Sequence, residues 1–410
     1  MAGMPPPPPR ASSPSREHPG ASSSPSSSSS FAPRPTDAAV RLTNDEASVA
    51  KARCHELGYF DDPLAAAFAP RGPAKRGGGG THHEPLINRG YYARVRAMRA
   101  MIDAFMDASL PGDDDEDDDR DVRDDRVRRR HHPSRRRRQI VSLGAGFDTS
   151  YFRLLAAGRA PGLFVEVDYG EVARKKAEIV RARRERFFGD REDEMTNALV
   201  NLADGSYHGD GGGGGDDDAS FRDVFGYRLL SADLRDVATL ERKLLDLPGY
   251  DAEIPTLFLA ECCLAYVEPE EAAAVIALAA RLSSSAPAAA FVLYDPIGPD
   301  DAFGVQMGLN LRARGCPLRG VAGAPTLEAQ RERFQARGWA RAGAMDMNDA
   351  CDRLARRDAS DHLRMTRLEM LDEVEEFRMM LAHYCVAWGV NEKKRASNGG
   401  GALFDALSGL

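Results

Sequence analysis

A doubly wound α/β sheet, mostly parallel and preceded by a helical lid, is the fold this sequence predicts. Strands and helices alternate from Gln139 onward, the pattern of a parallel sheet with crossover helices. Gln139-Ile-Val-Ser-Leu-Gly-Ala-Gly-Phe-Asp-Thr149 reads as a buried strand, a glycine turn and a helix start. Three acids, Asp168, Asp233 and Glu261, fall at predicted carboxyl ends of later strands. Open α/β sheets hold their ligands at those ends.

Composition narrows the class. The chain has 410 residues, 42% hydrophobic and 29% charged, with a net charge of -8. That balance gives no electrostatic reason to bind nucleic acid. No apolar run reaches membrane-spanning length. Cys54, Cys262, Cys263, Cys316, Cys351 and Cys385 show no C-x-x-C spacing, so free thiols in a reducing, cytoplasmic setting are expected. The doublets His82-His83 and His131-His132 lack matching ligands, and no metal is expected.

Residues 1–36 are rich in Pro and Ser and read as a disordered tail. The arginines and scarce acids of this tail leave a transit peptide as the weaker reading. Residues 37–395 are expected to form one domain: a helical lid over 37–110, an insertion over 111–138 and the core over 139–395. Residues 396–410 are read as a C-terminal tail. Ala38–Leu57 suits a helix ended by Gly58, with Asn44 near its start, and a short apolar helix runs through Phe68. Gly77–Gly80 is a loop insertion. Ile87-Asn-Arg-Gly-Tyr-Tyr-Ala-Arg-Val-Arg96 starts a third helix running to about Ser109, with Val95, Met98, Ile102 and Phe105 at helical spacing. Arg89 is placed just before that helix, presented rather than packed. The acidic run 113–119 and the basic run 126–138 read as one low-complexity surface insertion, whose arginines admit nuclear entry.

In the core, Asp148 or Thr149 is expected to cap the first helix. Gly162–Asp168 is the second strand, followed by a helix over Glu171–Arg183. A glycine–aspartate insertion, Gly211–Asp218, precedes the strand from Phe225 and a helix over Thr239–Leu247. Thr256–Ala260 is a central strand, Pro269 opens the helix through Leu282, and Ala288–Tyr294 is a fifth strand. Helices are expected over Phe303–Arg314, Thr326–Gly338 and Glu369–Phe377, and a final strand over His383–Trp388.

Thr149 stands where a dinucleotide fingerprint has its third glycine, and no P-loop lysine motif occurs. Asp168, 24 residues after Gly144, has the place of an acid that accepts from both ribose hydroxyls. Asp233 and Leu234 suit an adenine, one by its amino group and one by its flat face. A nucleoside without pyrophosphate fits best. S-adenosylmethionine is such a ligand, and its cationic sulfonium favours acidic surroundings.

The chain resembles the leucine carboxyl methyltransferases, which esterify the C-terminal leucine of the protein phosphatase 2A catalytic subunit. The residues carrying the likeness are Ile87–Val95, Leu143–Thr149, Phe164–Asp168, Ala232–Asp236, Ala260–Tyr266, Phe303–Met307 with Asn310-Leu311, and His383–Cys385. The resemblance implies a Rossmann-like class I S-adenosylmethionine-dependent methyltransferase. It implies cofactor contacts from Lys51, Arg89, Gly144, Asp168, Asp233, Leu234 and Glu261. Arg89 and Tyr266 are the candidates to orient the acceptor carboxylate, and Arg89 is equally a candidate for the cofactor's own carboxylate. The implied partner is the phosphatase tail, with or without its scaffold subunit, and a monomer is expected. A relative that esterifies a carboxylate on a modified tRNA base is the rival reading. Such relatives carry a long C-terminal repeat region, which is not seen before Leu410. A small-molecule O-methyltransferase or a nicotinamide-dependent oxidoreductase fits the motif set less well.

Overall fold

The computed structural model describes residues 34, 36–70, 85–111, 138–189, 200–201, 207–208, 226–393 and 402–410. The readings of the N-terminal tail through Pro33, both glycine insertions, both histidine doublets and the charged runs up to position 137 lie outside them.

Nine strands form one sheet among the described residues: β1 (Gln139–Leu143), β2 (Leu163–Asp168), β3 (Val200–Asn201), β4 (Tyr207–His208), β5 (Gly226–Ser231), β6 (Thr256–Glu261), β7 (Ala288–Pro296), β8 (Arg341–Asp346) and β9 (Tyr384–Glu392). Their order is β3-β4-β5-β2-β1-β6-β7-β9-β8. The five central strands, β5-β2-β1-β6-β7, are parallel, as expected. Both flanks are antiparallel, so the sheet is mixed beyond its centre. From β1 the chain goes first to β2 on one side and later to β6 on the other. That reversal opens a crevice at the carboxyl ends of the strands. The registers level those ends: Leu143 lies beside Val167 and Ala260, Asp168 beside Ser231, and Glu261 beside Tyr294.

The helices are α1 (Asp37–Glu56), α2 (Ala65–Phe68), α3 (Pro85–Asp107), α4 (Ser150–Ala156), α5 (Gly170–Ala182), α6 (Arg184–Phe188) and α7 (Val237–Leu245). They continue with α8 (Pro269–Leu282), α9 (Ala302–Ala313), α10 (Leu327–Gln335), α11 (Met347–Arg357), α12 (Ala359–Thr366), α13 (Val374–Ala382) and α14 (Ala402–Ser408). The pleat divides the strand side chains between two cores. Ile140, Phe164, Leu257 and Val292 join Met98, Met101 and Phe105 of α3 on one face. Val141, Val165, Phe258 and Phe291 join Val275, Ile276 and Ala279 of α8 on the other. Each β6 or β7 residue thus has a packed neighbour above or below, which explains the unbroken apolar runs.

Five readings need correction. Asn44 sits within α1, which begins at Asp37. Thr149 precedes α4 but makes no cap bond. Its hydroxyl donates to Asp62 Oδ2 at 2.6 Å, while Asp148 Oδ1 accepts from the Ser150 amide. Residues 369–373 are not helical, and α13 starts only at Val374. Arg138 is not part of a surface basic run: it is 2% exposed and donates to the carbonyls of Phe105 and Ala108 beneath α3. The C-terminal segment is not a bare tail, because α14 buries Leu403 and Leu407 in the core shared with α3 and β9. No helix among the described residues is long and apolar enough to cross a membrane.

Candidate functional site

The glycine turn after β1 shapes the floor of the crevice. Gly144 and Gly146 have φ of +62° and +52°, the left-handed region that side chains disfavour. A Cβ on Gly144 would collide with Cys263, and one on Gly146 with Asn44 of α1. The turn can therefore bring backbone close to a ligand, and only glycine fits both positions. The Gly146 and Tyr169 amides both donate to the Asp168 carboxylate, each at 2.7 Å. Burial raises the pKa of Asp168, and those two amides oppose the shift.

Above the turn a cavity of about 230 Å³ opens between the strand ends and α1. Gly144, Asp168, Leu234, Glu261 and Tyr266 line it, so five of the sequence-predicted residues share one space. Lys51 lines a smaller adjoining cavity with Gly144, Gly146, Asp148 and Glu261. Two predicted residues are not among those lining either cavity. Asp233 is held by Arg235, which donates through Nε at 2.9 Å and Nη2 at 2.5 Å, and it is Arg235 that lines the cavity. Arg89 lies in the second turn of α3 and points away, donating to the carbonyls of Glu369 at 2.8 Å and Thr366 at 3.3 Å. The helix starts at Pro85 rather than after Arg89, and this sets the phase that turns Arg89 outward.

Arg94 occupies the position expected of Arg89. It lies about 140° further round α3 and lines both cavities. Arg94 Nε donates to Glu261 Oε1 at 2.5 Å, and Lys51 Nζ lies 3.4 Å from the same oxygen. Lys51 is also 3.7 Å from Asp148 Oδ2. Two cations and two carboxylates thus alternate at the ends of β1 and β6. Burial alone would raise the Glu261 pKa, but Arg94 and Lys51 outweigh it and hold the carboxyl below its ordinary range. Burial likewise works against the charge on Lys51, yet Glu261 and Asp148 keep its pKa raised. The cluster is fully ionised at neutral pH. The sequence did contain a signal for Arg94: it stands four residues before Met98, on the apolar stripe of α3, where an arginine needs a buried partner.

Tyr91, Tyr266 and Tyr384 also line the larger cavity, with Val267, Pro296, Leu311 and Leu318. Tyr384 stacks on Tyr294 with centroids 5.4 Å apart. Burial raises the pKa values of Tyr266 and Tyr384, so both hydroxyls stay protonated. Burial also pushes the Cys262 thiol up to about 12, which leaves it neutral. Among the described residues no group of His, Cys, Asp and Glu could hold a metal ion.

The helix α1 closes the roof through ion pairs. Arg34, just before it, reaches Glu271 at 2.6 Å, and Asp37 reaches Arg235 at 2.9 Å. Arg41 pairs with Glu171 at 3.2 Å and Asp45 with Lys175 at 2.7 Å. Asp168, Arg94 and Glu261 thus line one cavity together with Tyr266, Tyr384 and Val267 beneath this roof.

Comparison with known proteins adds an independent line. The leucine carboxyl methyltransferase family profile matches residues 122–280. Leucine carboxyl methyltransferase 1 homolog of Arabidopsis thaliana is 36% identical over 88% of this chain and 91% of its own length. Leucine carboxyl methyltransferase 1 of Bos taurus is 30% identical over 86% of this chain and 90% of its own. tRNA wybutosine-synthesizing protein 4 of Homo sapiens is 37% identical over 85% of this chain, but the match spans 43% of that protein.

Proposed function

Because the chain belongs to the leucine carboxyl methyltransferase family, we propose that it methylates the α-carboxylate of the C-terminal leucine of the protein phosphatase 2A catalytic subunit. It is an S-adenosylmethionine-dependent carboxyl methyltransferase, and the product is a leucine methyl ester. The observation that carries the reading is one cavity at the strand ends in which Gly144, Asp168, Leu234, Arg94 and Glu261 meet the neutral phenols of Tyr266 and Tyr384, with Lys51 reaching Glu261 from an adjoining cavity.

S-adenosylmethionine, when bound, supplies an electrophilic methyl group on a cationic sulfur. The residues present suit it. Gly144 and Gly146 leave room for close approach of backbone. Asp168 faces the cavity with a carboxylate able to accept from vicinal hydroxyls. Leu234 offers an apolar face for a base, and Asp233 serves it indirectly by holding Arg235. Lys51 and Arg94 are matched to an amino-acid carboxylate, and Glu261 fixes both cations. In this assignment Arg94 takes the role that the sequence gave to Arg89.

The acceptor needs alignment rather than deprotonation. A peptide α-carboxyl has a pKa of about 3.3–3.7 and is an anion at neutral pH. Both charges disappear in the transfer, so strong solvation of either reactant would slow it. Tyr266, a neutral donor beside Val267 in the same cavity, orients the carboxylate without holding it as tightly as a cation would. The six free thiols are in keeping with a cytoplasmic setting.

The second reading, esterification of a carboxylate on a tRNA base, has the likeness to wybutosine-synthesizing protein 4 in its favour. The test offers the full chain both acceptors with labelled cofactor. Label on the phosphatase subunit and none on tRNA supports the proposal, and the reverse replaces it.

A further inference from the structure

Beneath the glycine turn lies a buried ion pair that no step above uses. Lys176 on α5 and Glu166 on β2 are 0% and 1% exposed, with Nζ and Oε2 2.5 Å apart. Tyr227 on β5 donates its hydroxyl to the same carboxylate oxygen at 2.7 Å. The ammonium makes a third contact, donating to the backbone carbonyl of Asp148 at 2.7 Å. It also lies 5.7 Å from the ring centroid of Phe68, which stacks on Phe147 of the turn.

Asp148 is therefore gripped from both sides. Its carbonyl is held from below by Lys176. Its carboxylate is approached from the cavity side by Lys51, at 3.7 Å. The Asp148 amide in turn donates to the Ala145 carbonyl at 3.0 Å, closing the segment that carries Gly144 and Gly146. A salt bridge this deep is a poor source of stability, because desolvating both charges offsets their attraction. Glu166 keeps Oε1 without a partner, so the pair is not arranged for full satisfaction either.

We propose that Lys176 is a positioning residue for cofactor binding. Its ammonium, anchored by Glu166, fixes the Asp148 carbonyl, and with it the glycine turn and the Lys51 side of the charged cluster. This inference rests on the cofactor reading above.

The test separates positioning from packing by using two variants of the full chain. Lys176→Met leaves Glu166 buried without its cation and is expected to lower the melting temperature. Lys176→Met/Glu166→Leu, made together with Tyr227→Phe so that no buried hydroxyl loses its acceptor, removes both charges and is expected to restore it, since apolar replacement of a whole buried pair is often neutral or stabilising. S-adenosylhomocysteine affinity is measured by titration calorimetry, with kcat at saturating cofactor alongside. The inference predicts that the charge-free variant melts like the wild type yet binds about 10–100-fold more weakly, the scale seen when groups orienting metal ligands are lost, with kcat largely kept. A stable charge-free variant with wild-type affinity would overturn it and leave the cofactor reading intact. No binding by the wild-type chain would overturn both.

Discussion

Arg94 of α3 and Glu261 at the end of β6 are joined by a hydrogen bond of 2.5 Å, across 167 residues of sequence. The bond ties the helical lid to the central strand at the point where the two cavities meet. Lys51 of α1 completes it from the other side.

That relationship separates Arg94 from Arg89, whose guanidinium donates to the carbonyls of Thr366 and Glu369. Arg94→Met is expected to weaken S-adenosylhomocysteine binding by about 1.5–3 kcal/mol, the scale of a hydrogen bond to a charged group. Arg89→Met should leave the affinity nearly unchanged. Titration calorimetry on both variants decides, and the opposite ranking would return the role to Arg89.

Tyr266 lines the same cavity as Arg94 and Glu261. Tyr266→Phe removes one neutral donor and little volume. Turnover should fall while cofactor affinity stays close to the wild type. A raised dissociation constant with unchanged turnover would place Tyr266 in the cofactor's compartment.

Asp148 gives the cluster a pH dependence. Burial opposes its ionisation, but Lys51 and Lys176, with the Ser150 amide, hold its pKa at about 2 against an ordinary 3.8. A depressed folded-state pKa contributes stability above the unfolded value, and that stability is lost as pH falls through the folded one. The contribution of Asp148 should fade from about pH 4 downward. Asp148→Asn should flatten the acid limb of the stability curve in that window. An unaltered acid limb would mean that the pairing contributes nothing.

Leu407 of α14 is fully buried, as is Leu403 one turn earlier. Leu407→Ala should cost about 2–5 kcal/mol of unfolding free energy, as for other buried leucines. Chemical denaturation measures it. A loss below 1 kcal/mol, roughly the scale of a surface change, would show that α14 is not part of the folded core.

The legible parts of this protein were the local ones. Gly144, Gly146 and Asp168 stand out because strand, turn and acid follow one another within one βαβ unit, and their spacing alone states the geometry. Glu261 could be placed because an unbroken apolar run ends on it. Arg94 was harder, because choosing it over Arg89 depends on where α3 begins, and Pro85 sets that phase. The Asp233 pairing was not legible, because its partner Arg235 also holds the lid residue Asp37, 198 positions away, and the two meet only in the fold. β8 was not foreseen: Arg341-Ala-Gly-Ala-Met-Asp346 has few β-formers, and its pairing with β9 is a tertiary fact. α14 follows three glycines and has only Leu403 and Leu407 to show its buried side.

The central claim is tested most directly by methyl transfer from labelled S-adenosylmethionine to the purified phosphatase 2A catalytic subunit. The same subunit lacking its terminal leucine is run beside it. The account predicts label on the intact subunit only, released by mild base as an ester should be. Label on neither, from a chain that still binds S-adenosylhomocysteine, would contradict the acceptor assignment.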